Sequence, residues 1–442
     1  MKSLPFPRRK ITILFGILFL IFAFFYETGF FQKIGLKSDD DKQSKKVTSG
    51  NLNAPVHLIV VIPELEAVNF KKDIKRFQDS LQLGLKDYIG QGKVYIQTLM
   101  APFPDQENVS HFFNTILSRS NGNILIAPFD GRHMGYLRQE SHERGIPFLY
   151  FAHNENSRCI NASISPFLWD LGVGPESYNE LFLSYLGQRF GKLASDPGFY
   201  LYQNANAPEQ ERSRLLSELI EDLGFRQIGG VIVDEKLSDL YTTLRSVFQK
   251  KPDIFIASTT PPGRARFLPQ AAKLGFNLEM GLAFEYGTEE EELRSNENAA
   301  EGFIVPVTYV HDIPGEKNKK FIIDLVSYDS SYTSENPPTM ANYRGYLIAT
   351  LISLTLENKI LSNFSEKISE QGKFSENFIS SLRDLDSKII EGPSGQFQVF
   401  EKIQGLIQPF HISEYKSGLL NHQKYLGDLS LPSSFKCQNS AE

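Results

Sequence analysis

The chain has 442 residues, a formal net charge of −6, 41% apolar residues and 22% charged residues. This length allows one large domain or two to three ordinary ones, and the apolar fraction is that of a folded protein rather than a disordered one. With no strong basic block beyond the N-terminus, the charge balance argues against a nucleic-acid-binding surface.

An apolar segment near the N-terminus predicts attachment to a membrane. Four basic residues among the first ten precede an apolar run over residues 11–31, interrupted at Glu27. The run is long enough to span a bilayer, and neither a small-x-small cleavage site nor a cysteine directly follows it. We interpret it as an uncleaved transmembrane signal anchor, with a cleaved signal peptide as the alternative. The basic residues 1–10 would lie in the cytoplasm, which predicts a single-pass protein of the inner (cytoplasmic) membrane with its folded part in the periplasm or outside the cell.

Residues 32–54 are rich in Ser, Asp and Lys and have almost nothing to bury, so they predict a flexible linker. From residue 56 onward, short apolar runs alternate with segments of helical periodicity. The predicted strands are residues 56–62, 94–99, 123–128 and 147–152, and then 199–202, 228–233, 253–258 and 282–286. This alternation predicts parallel strands with helices on both faces. Its restart after the Gly/Pro-rich residues 172–175 predicts two similar, doubly wound lobes.

The C-terminal part departs from this rhythm. A strand is predicted at residues 302–307, followed by helices at 341–357 and 374–389. Two strands joined by a turn, 396–400 and 406–412, are typical of an antiparallel addition to a sheet. The residues from 427 to the C-terminus are predicted to be a loose end.

Few motifs point to chemistry. The sequence contains no phosphate loop, dinucleotide-binding fingerprint, nucleophile elbow or metalloprotease motif. The two cysteines, Cys159 and Cys437, are too few for a disulfide framework or a zinc site; they can pair with each other or remain two free thiols. His153 and Cys159 are close in the sequence, but a catalytic Cys–His pair is assembled by folding and not by short spacing. We therefore predict no enzyme, no cofactor and no metal site.

Four groups of residues carry a resemblance to a known family. They are NILIAPFDG at 123–131 with GIPFLYFA at 145–152, LSDLYTTLRSVFQKKPDIFIAS at 237–258, FLPQAAKLGF at 267–276 with AAEGFIVPVTYV at 299–310, and EGPSGQFQVF at 391–400. In this order and spacing they resemble the branched-chain amino-acid and amide/urea group of ABC-transporter substrate-binding proteins, which have the type I periplasmic-binding fold. The resemblance covers most of residues 55–415.

The resemblance implies an α/β clamshell of two doubly wound parallel-sheet lobes joined by three crossovers. Lobe 1 would consist of residues 55–168 and 303–395, lobe 2 of residues 169–302 and 396–415, and residues 416–442 would form a C-terminal tail. A ligand would lie in the cleft near the carboxyl ends of the strands, where helix N-termini direct backbone N–H groups at an anion. Ligand binding would close the lobes by a hinge motion.

The resemblance also implies where the ligand contacts lie. Family members hold a ligand carboxylate with hydroxyl residues in two lobe 1 loops, which here read Asp130-Gly131-Arg132-His133 and Ala152-His153-Asn154-Glu155. The hydroxyl residues are missing from both loops. Lobe 2 of the family offers an acid for the ligand amine and often a tyrosine, for which the candidates here are Glu285, Tyr286, Tyr202, Asn204 and Asn206.

Two interpretations of the altered loops stay open. Arg132, His133, His153 and Asn154 can bind an acidic or polyhydroxylated ligand by charge-assisted hydrogen bonds, or they can be ordinary residues at the rim of the cleft. Glu285 is likewise either a ligand for an amine or a solvated loop carboxylate. The four consecutive glutamates 289–292 predict a solvated helix or loop face.

Two functions fit these observations. The first is a membrane-anchored, extracytoplasmic solute-binding protein that captures an amino acid, an amide or a related polar metabolite for an ABC permease or a sensor. The alternative is an interaction protein of the same fold that has lost small-molecule binding, for example an envelope or cell-wall-synthase regulator. The altered loops and the uncleaved anchor favour the alternative, but we place solute binding first, since fold analogy alone does not decide between the two.

Overall fold

Two β-sheets, each flanked by helices, carry the fold. The structure is a computed structural model that describes residues 56–63, 70–101, 106–119, 123–129, 135–151, 165–172, 175–190, 198–204, 207–234, 237, 239–258, 261–275, 281–284, 290–294, 297–357, 371–401 and 404–428. Residues 53–442 pack as one compact unit.

The first sheet has eight strands, and from here on we call this sheet with its helices lobe 1. Its strands are β1 (Val56–Pro63), β2 (Val94–Ala101), β3 (Ile124–Pro128), β4 (Phe148–Tyr150), β5 (Leu168–Asp170), β11 (Ile389–Gly392), β12 (Gly395–Phe400) and β13 (Gly405–Ile407). Its helices are α1 (Lys71–Gly90), α2 (Gln106–Arg119), α3 (Gly135–Glu143), α10 (Glu316–Tyr328), α11 (Met340–Glu357) and α12 (Gln371–Arg383). All five residues of β3 are buried, as expected for a parallel strand covered on both faces.

The second sheet has seven strands, and we call this sheet with its helices lobe 2. Its strands are β6 (Gly198–Asn204), β7 (Arg226–Val233), β8 (Ile254–Ser258), β9 (Gly281–Phe284), β10 (Ile304–Val307), β14 (Pro409–Lys416) and β15 (Leu419–Asp428). Its helices are α4 (Pro175–Phe190), α5 (Ala207–Asp222), α6 (Tyr241–Gln249), α7 (Pro261–Lys273), α8 (Glu290–Arg294) and α9 (Glu297–Ala300). The apolar strand β8 is buried along its whole length.

The two sheets repeat one strand order. Five parallel strands of the first sheet run β2-β1-β3-β4-β5, and five of the second run β7-β6-β8-β9-β10. The first sheet continues with β13, which is parallel to β5, and then with the antiparallel strands β12 and β11; the second continues with the antiparallel strands β14 and β15. This repeat agrees with the prediction of two similar, doubly wound halves, although no residue-level repeat is visible in the sequence.

The chain passes between the sheets three times. The passages follow β5, β10 and β13. The sheets differ from the predicted lobes in two places. Strand β10 was predicted for lobe 1 but pairs with β9 and β14 in the second sheet. Strands β12 and β13 were predicted for lobe 2 but pair with each other in the first sheet. Strand β15 also extends the second sheet through residues that were predicted to belong to a tail.

Two predicted elements are shorter or divided. The helix predicted at 374–389 ends at Arg383, and Ile389 begins strand β11. The single strand predicted at 406–412 is two strands, because the chain changes sheets at Gln408, whose side-chain amide donates to the carbonyl oxygen of Leu171.

Helices α1 and α11 form the closest helix pair of lobe 1. Two glycines permit the contact: a Cβ at Gly84 would lie 2.6 Å from the Cβ of Ala349, and a Cβ at Gly345 would overlap the carbonyl oxygen of Phe77. Helix α11 is apolar and mostly buried, which fits its position between α1 and the rest of lobe 1.

None of the described helices is long and apolar enough to span a bilayer. The predicted anchor, residues 11–31, lies outside the described residues, as do the linker and both cysteines.

Candidate functional site

The sheet topology defines where a ligand site belongs. In each sheet the first strand lies between its two successors: β1 pairs with β2 and β3, and β6 pairs with β7 and β8. The connections from these strands leave in opposite directions, which opens a crevice at the carboxyl ends of β1 and β3 and at those of β6 and β8. Polar groups at these strand ends are therefore the first candidates for ligand contacts.

Most predicted contact residues lie outside the described residues, and their roles stay predictions. They are Asp130, Gly131, Arg132, His133, Ala152, His153, Asn154, Glu285 and Tyr286. In the sequence, these groups come just after the carboxyl ends of β3, β4 and β9, which end at Pro128, Tyr150 and Phe284.

Tyr202 and Asn204 lie in strand β6, at the edge where the crevice of the second sheet is expected. The ring of Tyr202 is buried 5.0 Å from the ring of Phe267 on α7 and 6.1 Å from that of Phe255 on β8. Burial raises the pKa of the Tyr202 phenol to about 12, so the group is neutral at physiological pH. Asn204 is the last residue of β6. A direct ligand contact by either residue stays a prediction.

Sequence reasoning missed two polar residues at the same edge. Gln203 and Ser258 are register partners on β6 and β8, and both are buried. Because side chains alternate along a strand, Gln203 faces away from Tyr202 and α7, towards the face covered by α5. Among the described residues, the Gln203 Oε1 atom has no hydrogen-bond partner. A polar residue near the end of an otherwise apolar strand, as in FYLYQN, is the signal that could have identified it.

Helix α4 adds a further polar group on this side of the sheet. It packs on β8 and contacts α5, and it leads into β6, so its N-terminal end lies at the carboxyl edge of the strands. Asn179, near the start of α4, is buried, and its Oδ1 atom also lacks a hydrogen-bond partner among the described residues. A buried amide oxygen without a donor is destabilising, so both oxygens suit an N–H or O–H donor from a ligand or a water molecule.

A small cavity lies where the two lobes meet. Its lining comes from lobe 2, from the passage after β10 and from the start of α11 in lobe 1; the residues are Glu290, Leu420, Val307, Tyr309, Val310, Pro338, Thr339 and Met340. The volume suffices for one water molecule. The Thr339 Oγ1 atom is buried and has no hydrogen-bond partner within the part of the chain that the structure describes.

Glu290 corrects one prediction from the sequence. The run 289–292 was predicted to be solvated, but Glu290 is only 6% exposed. Its Oε1 accepts a hydrogen bond from Arg294 Nη2 at 2.6 Å. Burial outweighs this ion pair and raises the pKa of the Glu290 carboxyl to about 7. The charge pattern of the run did not reveal the burial because distant segments of the chain create it.

On the lobe 1 side, a buried polar network holds the start of α1. Arg76 pairs with Asp73 at 3.3 Å and donates to Asn336 Oδ1 at 2.5 Å. Asn342 on α11 donates to the carbonyl oxygen of Arg76 at 2.9 Å and accepts from the backbone N–H of Thr339 at 3.1 Å. These bonds fix the wall of the cavity that lobe 1 contributes.

A second contact between the sheets lies at the turn between β11 and β12. Ser394 donates its hydroxyl proton to the carbonyl oxygen of Thr308. The Nε2 atom of His411 lies 3.1 Å from Ser394 Oγ and 3.0 Å from the Ser394 carbonyl oxygen, so Nε2 must carry the proton. Burial lowers the pKa of His411 to about 4, and its bare Nδ1 accepts from His422 Nε2 at 3.2 Å.

The comparisons with known proteins agree with this architecture. The family model described as "Periplasmic binding protein" matches residues 114–419. The chain therefore belongs to the periplasmic binding protein family. A comparison with curated protein sequences found no match.

Solved structures share the fold at low sequence identity. An ABC transporter substrate-binding protein from Sphaerobacter thermophilus superposes with a TM-score of 0.67 at 15% identity, covering 85% of this chain and 98% of that one. A leucine-binding protein from Thermotoga maritima gives 0.64 at 14% identity, with 84% and 98% covered. A solute-binding protein of an ABC transporter from Rhodopseudomonas palustris, in complex with 3,4-dihydroxybenzoic acid, gives 0.63 at 15% identity, with 84% and 96% covered.

Proposed function

We propose that this chain is the solute-binding protein of an ABC transporter and captures a small polar ligand between its two lobes. The observation that carries the proposal is the repeated sheet order, with the crevice of each half at the carboxyl ends of its strands and three passages between the halves. Family membership supports the same function and an extracytoplasmic location. Residues 11–31 would anchor the protein in the inner membrane, which the sequence alone supports.

The ligand we propose carries a carboxylate and at least one hydrogen-bond donor. Arg132, His133 and His153, from the two loops predicted to hold a ligand carboxylate, offer donors that suit an anion. Gln203 and Asn179 offer buried amide oxygens that suit a ligand ammonium, amide or hydroxyl group. Among proteins of this fold, one from Rhodopseudomonas palustris is in complex with 3,4-dihydroxybenzoic acid and one from Desulfitobacterium hafniense is in complex with leucine, and both ligands carry a carboxylate and a hydrogen-bond donor.

Thermal unfolding of the full chain in detergent against a ligand panel tests the proposal. The panel contains leucine and other amino acids, benzoate, 3,4-dihydroxybenzoate, amides and urea. A ligand at a hundred times its dissociation constant adds about 2.7 kcal/mol of stability and raises the unfolding midpoint. Arg132→Ala is expected to abolish the shift caused by an acidic ligand. Arg214→Ala, which removes an exposed arginine of the ion pair with Glu218, is expected to leave the shift unchanged.

The alternative is an interaction protein that has lost ligand binding. The absence of hydroxyl residues from residues 130–133 and 152–155 favours it. A folded sample that shows no shift with any panel member would support this alternative and contradict a solute-binding role. A shift with an acidic ligand that persists in Arg132→Ala would contradict the assignment of Arg132 only.

A further inference from the structure

We propose that Glu290 is a proton-operated latch between the two lobes, which favours the closed arrangement when its carboxyl group carries a proton. The residue belongs to α8 of lobe 2 and lines the cavity whose opposite wall is Pro338, Thr339 and Met340 of lobe 1. Opening the lobes would separate these walls and expose the carboxyl group to water. This inference deepens the proposed function, because it rests on the clamshell motion that a solute-binding protein uses.

The charged groups around Glu290 do not hold it in the ionised form. Arg294 on the same helix is its direct partner at 2.6 Å, and Arg294 also donates to the carbonyl oxygen of Gly418 on the turn before β15. From α1 of lobe 1, Arg76 favours the ionised form and Asp73 opposes it. Because these two residues form an ion pair with each other at 3.3 Å, their effects on Glu290 partly cancel.

Among the other neighbours of α8, the backbone N–H of Leu420 on strand β15 favours the ionised form, and the buried phenol of Tyr309 faces the same cavity. The charged side chains described on α7 are Arg266 and Lys273, and neither is among the groups that shift Glu290. The described side chains of α9 are alanines. Loss of hydration is therefore the largest influence, and the pKa of Glu290 rises to about 7.

The Thr339 hydroxyl gives the protonated form a partner. It is 4% exposed, lines the cavity and has no hydrogen-bond partner among the described residues. A protonated Glu290 can donate to this hydroxyl through one water molecule, for which the cavity has room. The same water molecule can instead donate to an ionised Glu290 and to the hydroxyl, so the hydroxyl serves both protonation states. The preference for the uncharged carboxyl group comes from the loss of hydration when the apolar side chains of Pro338 and Met340 close over it.

The direction of the pH effect follows from the two pKa values. In an open arrangement the hydrated carboxyl group takes its ordinary pKa of 4.5, and in the closed one the pKa is about 7. The closed form binds the proton more tightly, so closure is favoured below pH 7 and loses this support as the pH rises through 7. Between pH 6 and pH 8, the ratio of closed to open molecules is expected to fall about tenfold.

The test measures the distance between the lobes without any ligand. Spin labels replace Lys320 on α10 and Arg214 on α5, both exposed, in a full-length chain whose Cys159 and Cys437 are serine. Pulsed electron resonance then gives the populations of short and long distances at pH 6 and pH 8. In the parent chain, the short-distance population is expected to fall about tenfold relative to the long one. Glu290→Gln, which copies the protonated form, is expected to hold the same populations at both pH values.

Two further variants keep the test decisive. Glu316→Gln removes an exposed carboxyl group of a surface ion pair on α10 and is expected to keep the parent response. Thr339→Val removes the hydroxyl partner with little change in size and is expected to keep the parent response, because loss of hydration and not this hydroxyl favours the protonated form. A parent chain whose distances do not change between pH 6 and 8 would overturn the latch, and so would a Glu290→Gln variant that still responds. Because the distance measurement uses no ligand, its outcome does not depend on whether any member of the ligand panel binds.

Discussion

Two buried polar side chains near the carboxyl edge of the second sheet lower the stability of the fold and suit a ligand contact. The amide oxygens of Gln203 and Asn179 are buried beside apolar strands without a donor among the described residues. Such groups destabilise a fold by about 1–3 kcal/mol each, so a protein keeps them where a ligand or a bound water completes the hydrogen bond. Their position at the carboxyl edge of β6 and β8 fits the ligand site that we propose.

Replacing Gln203 separates stability from binding. Gln203→Met keeps the size of the side chain and removes the unpaired oxygen, so we expect the free energy of unfolding to rise by about 1–2 kcal/mol. The same change should weaken whichever ligand stabilises the parent chain. Denaturant unfolding and the ligand panel measure the two effects. Gln78→Met, at a half-buried position of α1, is the control and should leave both the stability and the ligand response unchanged. A less stable Gln203→Met variant would show that the amide serves the fold.

At this scale, the sequence revealed strand residues better than buried charges. Tyr202 was named from the resemblance and lies in strand β6, where its role as a ligand contact stays a prediction, whereas Gln203 beside it was overlooked. Glu290 was predicted to be solvated because a run of four glutamates has no apolar partner nearby in sequence. Its burial comes from Thr339 and Met340, which lie about fifty residues further along the chain. Contacts over such a separation have no local pattern.

Among the elements, the α1–α11 pair shows how two glycines set a helix packing distance. A methyl group at Gly345 would overlap the Phe77 carbonyl oxygen and lie 3.1 Å from the carbonyl carbon. These are backbone atoms, so they cannot rotate away as a side chain does. The helices would have to separate and would lose buried contacts along their length.

We therefore expect Gly345→Ala to destabilise the protein by about 2–3 kcal/mol, despite the better helix propensity of alanine. Gly90→Ala is the matched control, because a Cβ at that helix position meets nothing within 4 Å. The control should leave the stability unchanged or raise it slightly. Chemical denaturation of both variants makes the comparison. Equal stability of the two would mean that α1 and α11 shift apart without loss.

Elements with one strong local pattern were predicted well. The strands β1, β3 and β8 are continuous apolar runs, and the structure has them within one or two residues of the predicted bounds. The predictions were wrong where the chain changes sheets. Residues 406–412 read as one strand, but the two sheets share the segment, and Gln408 marks the division. Pairing partners decide such divisions, and the local pattern contains no information about them.

The acid stability of the whole molecule depends on the junction between its sheets. His411 is 2% exposed and is neutral in the fold, with a pKa of about 4 against 6.5 for an ordinary histidine. The unfolded chain binds more protons between these values, so stability falls as the pH drops through this window. The protonated ring would also place its Nδ1 proton against the one donated by His422.

From pH 7 to pH 5, His411 is expected to account for a loss of about 2 kcal/mol in the free energy of unfolding. His411→Gln should therefore lose that much less over the same range, although it is less stable at pH 7. His111→Gln, an exposed histidine on α2, should follow the parent curve. Denaturant unfolding at several pH values provides the measurement. Parallel curves for the parent and His411→Gln would exclude the junction as the acid-sensitive point.

The three passages between the sheets also have a consequence for biosynthesis. Strand β13 of the first sheet ends at Ile407, and the second sheet is completed only by β14 and β15. The first sheet is therefore complete only once the ribosome has made residue 407, and the second only once it has made residue 428. A premature stop after residue 400 would leave two incomplete sheets with exposed strand edges, which is the kind of surface that aggregates or is degraded.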